Sequence, residues 1–177
     1  MREHVRTLHV ADDGLARDDA RPRRDHASLA GSLSGLQFLD AIVRGSLPQA
    51  PVSETLTFWL ASVGNGTAAF EGEPGRHLLN PVGIVHGGWV MTLIDSATYC
   101  AAMSVTAPGA SCATVETKTN FSRVVTPTTG RVRCEARVVA AGSRIISCEA
   151  VVRDVQGAHV LAHGTSTILV TPPSSAL

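Results

Sequence analysis

The chain has 177 residues, 44% of them hydrophobic, and its formal net charge at pH 7 is zero. This length suits one domain with a substantial core, and the balanced charge gives no electrostatic reason to expect a nucleic-acid partner. The cysteines show no CxxC or Cys/His ligand spacing, so we expect buried free thiols in a reducing, cytoplasmic location. The four are Cys100, Cys112, Cys134 and Cys148.

The composition predicts three segments. Residues 1–30 carry six arginines and six acidic residues with little apolar periodicity, so we expect residues 1–33 to be a flexible extension. Residues 34–171 are expected to form the folded domain. Residues 172–177 are rich in Pro and Ser and are expected to be a short tail.

The domain begins with helical and then hairpin-like sequence. Apolar residues recur on one side of residues 34–43, which predicts a short amphipathic helix followed by an extended link. Strand-like residues 55–63 and 67–71 flank Gly64-Asn65-Gly66, a turn sequence that predicts a β-hairpin.

Residues 80–103, NPVGIVHGGWVMTLIDSATYCAAM, predict a long central helix that begins at Asn80 or at the glycines. The helix is apolar or small nearly all round, so it should be buried on most sides. It is too short to span a membrane with Asp95 at its centre.

Asp95 is the only residue with a formal charge between His77 and Thr114. An ionised carboxylate in apolar surroundings is costly unless it is paired or used. Asp95 is therefore the first candidate for chemistry, with a purely structural carboxylate as the alternative.

After this helix the pattern predicts strands at residues 113–124, 131–139, 144–153 and 159–170, separated by turn sequences. We expect an α+β fold in which one antiparallel sheet wraps around the central helix. On the first of these strands, alternation predicts that one set of side chains faces the helix: Val115, Thr117, Thr119 and Phe121.

The chain carries NPVGIVHGG, then five further residues, then Ile-Asp. This spacing, together with the order of elements, resembles the hotdog-fold acyl-CoA thioesterases of the PaaI (phenylacetic acid degradation) type. The resemblance covers residues 34–170 and is most specific at Asn80, His86-Gly87-Gly88, Asp95-Ser96-Ala97 and the strand TVETKTNFSRVV. It implies a thioesterase that converts a small aromatic or medium-chain acyl-CoA into the free acid and CoA. Coenzyme A would be part of the substrate, with no separate cofactor and no metal.

The resemblance also implies catalytic roles. Asp95 matches the family's general base or nucleophile, and Gly87 matches the residue whose backbone N–H polarises the thioester carbonyl. Asn80 and His86 match positions that orient the acyl group and the helix start, and Thr114 matches a hydroxyl that helps hold the attacking water. Thr114 could instead be a surface threonine. The chemistry is also reasonable from the residues alone, because a helix N-terminus stabilises an oxyanion and a buried carboxylate can activate water.

Substrate contacts are implied at two further places. Gly88 accompanies Gly87 at the helix start, and the loop Gly142-Ser143-Arg144 lies where the family often meets coenzyme A. An exposed arginine such as Arg144 can pair with phosphate, although it can equally be only solvated.

The distance between two of these residues predicts a homodimer. Eight residues of helix, at 1.5 Å per residue, separate Gly87 from Asp95 by about 12 Å. One thioester group cannot touch both, so a second copy with an antiparallel helix should supply Asp95. The resemblance implies the same shared site, often with dimers pairing into tetramers.

Two other functions remain open on the same fold. A hotdog hydratase or dehydratase would need a His paired with an acid, whereas His86 and Asp95 lie about 13 Å apart along one helix. A non-catalytic acyl-CoA-binding or regulatory module would not require a buried carboxylate beside its ligand.

Overall fold

The computed structural model describes residues 32–156 and 159–173. Residues 1–31 of the predicted extension and residues 174–177 of the predicted tail lie outside the described residues. The described part contains the following helices and strands: α1 (Gly35–Val43), α2 (Pro51–Leu56), β1 (Phe58–Gly64), β2 (Thr67–Gly72), α3 (Gly87–Met103), β3 (Ser111–Phe121), β4 (Val132–Ala141), β5 (Ile145–Asp154) and β6 (Val160–Thr171).

The strands of the described residues form one antiparallel sheet in the order β1-β2-β4-β5-β6-β3. The central helix α3 packs on one face of this sheet, called the inner face below, and its core positions Leu93, Ile94 and Ala97 are fully buried. The predicted α+β arrangement, a sheet around one long helix, is confirmed. The apolar helix is covered because every strand contributes side chains to the face it lies on.

Helix α1 is confirmed at nearly its predicted bounds. Ser34 caps it by accepting a hydrogen bond from the Gln37 N–H, and the Gln37 side chain accepts one from the Ser34 N–H. This reciprocal pair satisfies two otherwise unpaired donors at the helix start.

The prediction of an extended link followed by a strand from residue 55 is wrong, because Pro51–Leu56 form helix α2. Pro51 occupies the first helical position, where its missing N–H costs nothing and its fixed φ favours the helix. Thr57 ends the helix in the left-handed region at φ 52°, and β1 begins at Phe58 rather than at residue 55.

The predicted alternation of side chains along β3 is wrong at one point, because the strand contains a β-bulge. Thr114 pairs with Ile168 of β6 and Glu116 pairs with the adjacent Thr167, which leaves Val115 unpaired between them. The extra residue shifts the phase of the strand, so Thr114 and Thr117 both lie on the inner side. Val115, predicted to face the helix, is 63% exposed.

Close contact between α3 and the sheet depends on Gly164 in β6. A Cβ atom at this position would collide with the Lys118 carbonyl oxygen of β3 and would lie 3.0 Å from Ile94 Cγ2 of α3. The missing side chain therefore sets how near the helix lies to β3 and β6, the strands that face Asp95.

We predict that Gly164→Ala destabilises the protein by about 1–3 kcal/mol, the usual range for overpacking a well-packed core. Urea unfolding measures the loss, and Thr165→Ala on the exposed side of the same strand is the matched control. Equal unfolding midpoints for wild type, Gly164→Ala and Thr165→Ala would show that the helix does not depend on this contact.

Candidate active site

Asp95 lies in the third turn of α3, half-buried, facing β3. Its Oδ1 atom accepts a hydrogen bond of 3.2 Å from the Thr117 hydroxyl. None of the ion pairs found among the described residues involves Asp95. The carboxylate is thus held by a neutral donor, and no side chain in the described part of the chain forms an ion pair with it.

The bulge in β3 brings two threonines to this carboxylate. Thr117 donates to Asp95 directly, and Thr114 borders the same cavities as Asp95. Two residues three apart on a regular strand point to opposite faces, so only the extra residue Val115 lets both face the helix. Thr117 was missed as a site residue, because sequence patterns do not reveal where a bulge falls.

A chain of hydroxyl groups continues from Thr117 into the core. Thr117 Oγ1 lies 3.0 Å from Ser166 Oγ of β6. The Thr98 hydroxyl of α3 lies 2.8 Å from Ser166 Oγ and also 2.8 Å from the Ile94 carbonyl oxygen. Thr98 and Ser166 are 0% and 2% exposed, so these contacts satisfy polar groups that have lost access to water.

Asp95 borders a largely apolar cavity of about 640 Å³ between α1, α2 and the second half of α3. Asp95 is the only residue with a formal charge among the described residues that line it. On its other side the carboxylate borders a more open cavity of about 360 Å³ with Met91, Thr114 and Thr117. Large apolar residues of the first cavity include Phe38, Ile42, Phe58, Phe70, Tyr99 and Met103.

The cysteine beside this cavity is not a nucleophile. Burial, and to a lesser extent the nearby Asp95 charge, raises the pKa of Cys100 to about 12. The thiolate is the reactive form of cysteine, so Cys100 stays an unreactive thiol at neutral pH. Burial likewise raises the pKa of Tyr99, which keeps its hydroxyl protonated.

The start of α3 presents a free backbone N–H at Gly87. His86 is the N-cap, and its Nδ1 atom accepts the Gly88 N–H at 2.9 Å. An accepting Nδ1 carries no proton, so this imidazole is neutral with its proton on Nε2. Among the described residues no hydrogen bond is found from the Gly87 N–H, which leaves a donor at the positive end of the helix dipole.

Asn80 organises the loop that leads into this helix. Its Oδ1 atom accepts the N–H groups of Val82 and Ile84 at 3.1 and 3.3 Å. The Asn80 backbone N–H donates to the Ile84 carbonyl oxygen. Asn80 and Gly87 share a cavity of about 280 Å³, distinct from those at Asp95.

The predicted site residues therefore fall into three places in one chain. Asp95 and Thr114 lie together, and Asn80, His86, Gly87 and Gly88 lie together at the helix start, next to Phe121 at the far end of β3. The third place is the exposed turn formed by Gly142, Ser143 and Arg144 between β4 and β5. Arg144 accepts the Val170 N–H through its carbonyl oxygen, so this turn lies near the Ser111 end of the sheet.

The chain is similar to a known protein family and to several solved structures. A profile of the thioesterase superfamily matches residues 82–160. A conserved protein from Pseudomonas aeruginosa is 34% identical, with 69% of this chain and 94% of that chain covered and a TM-score of 0.64. A thioesterase family protein from Silicibacter pomeroyi is 27% identical, covering 76% and 98% of the two chains with a TM-score of 0.67.

A phenylacetic acid degradation-related protein from Ralstonia eutropha JMP134 is 26% identical, covering 74% of this chain and 98% of that one, with a TM-score of 0.66. No significant match was found among curated protein sequences. Of the helices in residues 32–156 and 159–173, none has the length and apolar character that a membrane crossing requires. Together with the antiparallel sheet around α3, these relatives confirm the hotdog fold.

We predict that His86→Ala lowers the free energy of unfolding by about 1 kcal/mol because α3 loses its N-cap. His86→Ser should restore most of this loss, since a serine hydroxyl can accept the same backbone N–H. Urea unfolding of the two variants beside wild type measures both effects. If His86→Ser is as destabilised as His86→Ala, the hydrogen bond to Gly88 does not stabilise the helix start.

Proposed function

The chain belongs to the thioesterase superfamily, and from this premise we propose that it is an acyl-CoA thioesterase. Its substrate is the thioester of a small aromatic or medium-chain acid with coenzyme A, and its products are the free acid and CoA. The observation that carries the proposal is the placement of Asp95 at the edge of an apolar cavity. Among the described residues, Asp95 is the only charged side chain that lines this cavity, and it forms no ion pair.

The acyl group occupies the cavity of about 640 Å³. Its volume lies in the range of pockets that hold small organic ligands, roughly 300–1,000 Å³, and is far more than an acetyl group needs. The described lining offers no cation to an acyl group that carries its own carboxylate, and Asp95 would repel one. This supports an uncharged acyl chain or ring.

Asp95 acts on the thioester as a general base or as a nucleophile. As a base it removes a proton from water, whose oxygen bonds to the thioester carbon while the C–S bond breaks and the CoA sulfur takes up a proton. As a nucleophile its own oxygen bonds to that carbon and releases CoA, and water then cleaves the mixed anhydride. Thr114, beside Asp95 at both cavities, holds the attacking water.

The Gly87 N–H stabilises the oxyanion that forms on the thioester oxygen. This N–H lies at a helix N-terminus and has no hydrogen-bond partner among the described residues. A developing negative charge at such a place is favoured by several tenths to a few kcal/mol. The neutral His86 contributes by capping α3 and fixing this N–H. Asn80 holds the loop that borders the same cavity.

A second copy of the chain completes each site. Asp95 and Gly87 border different cavities of one chain, as their separation of about 12 Å along α3 requires. β3 is an edge strand of the described sheet, and it exposes Val115 and Phe121 by 63% and 55%. An unpaired edge with exposed apolar residues favours association, and a two-fold dimer through β3 runs the two α3 helices antiparallel.

Coenzyme A is held at the rim by the helix start and by the turn that carries Arg144. Gly88 accompanies Gly87 there, while Gly142 and Ser143 keep the turn small and exposed. Arg144 takes part in none of the ion pairs found among the described residues, so its guanidinium can pair with a phosphate.

We predict that wild-type protein releases free thiol from uncharged aromatic and medium-chain acyl-CoAs in preference to acetyl-CoA and succinyl-CoA. Asp95→Asn should lower kcat by more than tenfold, a barrier increase of over 1.4 kcal/mol, because the amide keeps the shape but not the basicity. A thiol-trapping assay over the acyl-CoA panel measures both expectations.

The matched control is Glu116→Gln, which makes the same change at an exposed carboxylate bordering the open cavity. It should retain activity within about twofold of wild type, the small effect expected of a surface substitution. If Asp95→Asn behaves like Glu116→Gln, Asp95 is not the catalytic group. If wild type releases no thiol from any member of the panel, the proposed activity is wrong.

We further predict that two inactive variants, Asp95→Ala and Gly87→Val, regain activity when they are unfolded and refolded together. In a mixed dimer one site keeps both Gly87 and Asp95, while the other site loses both. Random pairing should therefore restore about a quarter of wild-type activity. Each variant refolded alone is the control, and an inactive mixture with demonstrated subunit exchange would falsify the shared site.

A further inference from the structure

The hydroxyl chain of Thr98, Ser166 and Thr117 ends at the carboxylate of Asp95. Its links measure 2.8 Å between Thr98 and Ser166, 3.0 Å between Ser166 and Thr117, and 3.2 Å between Thr117 and Asp95. The three hydroxyls come from α3, β6 and β3 in turn. The chain thus joins the carboxylate to both strands that face it.

The ionised carboxylate fixes the direction of every link. A carboxylate only accepts hydrogen bonds and a hydroxyl has one proton to donate. Thr117 must therefore donate to Asp95, so Ser166 donates to Thr117 and Thr98 donates to Ser166. All three protons point toward the negative charge.

The chain can also run in the opposite direction. When Asp95 carries a proton it can donate to Thr117, Thr117 to Ser166, and Ser166 to Thr98. Thr98 then donates to the Ile94 carbonyl oxygen, which lies 2.8 Å from its hydroxyl. Every hydroxyl keeps a partner in both states, so neither state leaves an unsatisfied buried group, which would cost about 1–3 kcal/mol.

We propose that Thr117 and Ser166 are positioning residues for Asp95, which hold its carboxylate in one orientation and keep it hydrogen-bonded whether or not it carries a proton. This role rests on the proposed thioesterase activity, in which Asp95 gains and loses a proton in every turnover when it acts as the base. Thr98 anchors the chain in the core, where it is fully buried.

Few other titratable groups face Asp95. On α3 they are Tyr99 and Cys100, whose pKa values burial raises, so both stay neutral in acidic and neutral solution. On β3 the nearby groups are Glu116, whose carboxylate accepts the Thr167 hydroxyl at 3.4 Å, and Cys112, whose pKa is also raised by burial. Among the described lining of the apolar cavity, Asp95, Tyr99 and Cys100 are the titratable side chains.

The test replaces Thr117 by valine, which keeps the branched shape and removes the hydroxyl. A hydrogen bond to a charged group favours its charged form, so without it the acidic limb of the kcat profile should move to higher pH. The plateau of kcat should fall about tenfold as the carboxylate loses its fixed orientation, with KM unchanged within about twofold because no bound substrate group is removed. Thr117→Ser should recover the wild-type profile, and Ser166→Ala should lower kcat by a smaller factor.

Thr119→Val is the matched control, since Thr119 lies on the same side of the same strand. Its buried hydroxyl has no hydrogen-bond partner among the described residues. It should leave the pH profile where wild type has it. The proposal is overturned if Thr117→Val and Thr119→Val give the same profile, or if Thr117→Ser does not recover it.

A second readout separates this proposal from the thioesterase activity. In protein labelled with ¹³C at aspartate carboxyl groups, the Asp95 resonance, assigned by its absence in Asp95→Asn, should titrate at higher pH in Thr117→Val than in Thr119→Val. If no acyl-CoA is hydrolysed, this titration still tests the hydrogen bond, and an unchanged midpoint refutes the hydroxyl chain independently of turnover.

Discussion

The burial of helix α3 against the sheet is the constraint on which the rest of the molecule depends. A helix that is apolar on nearly all sides must be covered on nearly all sides, and a sheet that follows its surface meets this need. The contact is close because β6 has a glycine where it meets α3. That closeness places the single carboxylate of the helix within hydrogen-bonding distance of a strand hydroxyl.

Helix α3 supplies two groups of opposite charge character to the proposed reaction, a backbone donor at its start and a carboxylate in its interior. At its start, Gly87 offers a free N–H in a region of positive potential, and the neutral His86 keeps the neighbouring donor occupied. In its interior, α3 presents an acid among apolar residues, where hydroxyl groups rather than cations satisfy it. A carboxylate that is hydrogen-bonded to neutral hydroxyl groups can still act on a substrate with its full negative charge. A cation paired with the carboxylate would neutralise part of that charge.

Much of the fold followed from periodicity, while local detail did not. The strand predicted at residues 131–139 corresponds to β4, in which the alternating residues Val132, Cys134 and Ala136 are buried and the opposite face is largely solvated. Helix α2 was missed because its six residues are too few to show a helical repeat of apolar side chains. Pro51, which is favoured at the first position of a helix, was a usable signal for its start. The placement of Asp95 in a buried helix was predictable from its isolation among apolar residues. The partnership of Thr117 with Ser166 was not, because it joins residues 49 apart in the chain through a register that a bulge alters.

The bulge at Val115 lets Thr114 and Thr117 share one face of β3 whatever side chain stands at position 115. Removing this one residue would restore a regular strand in which Thr114 and Thr117 are two positions apart, so both would still lie on the inner face. Replacing Val115 would leave that geometry intact, because its exposed side chain contributes nothing to it. The shared face therefore depends on the pairing of Thr114 and Glu116 with adjacent residues of β6, and not on Val115 itself. Libraries that are used to diversify enzymes can therefore vary position 115 while both threonines stay on the inner face.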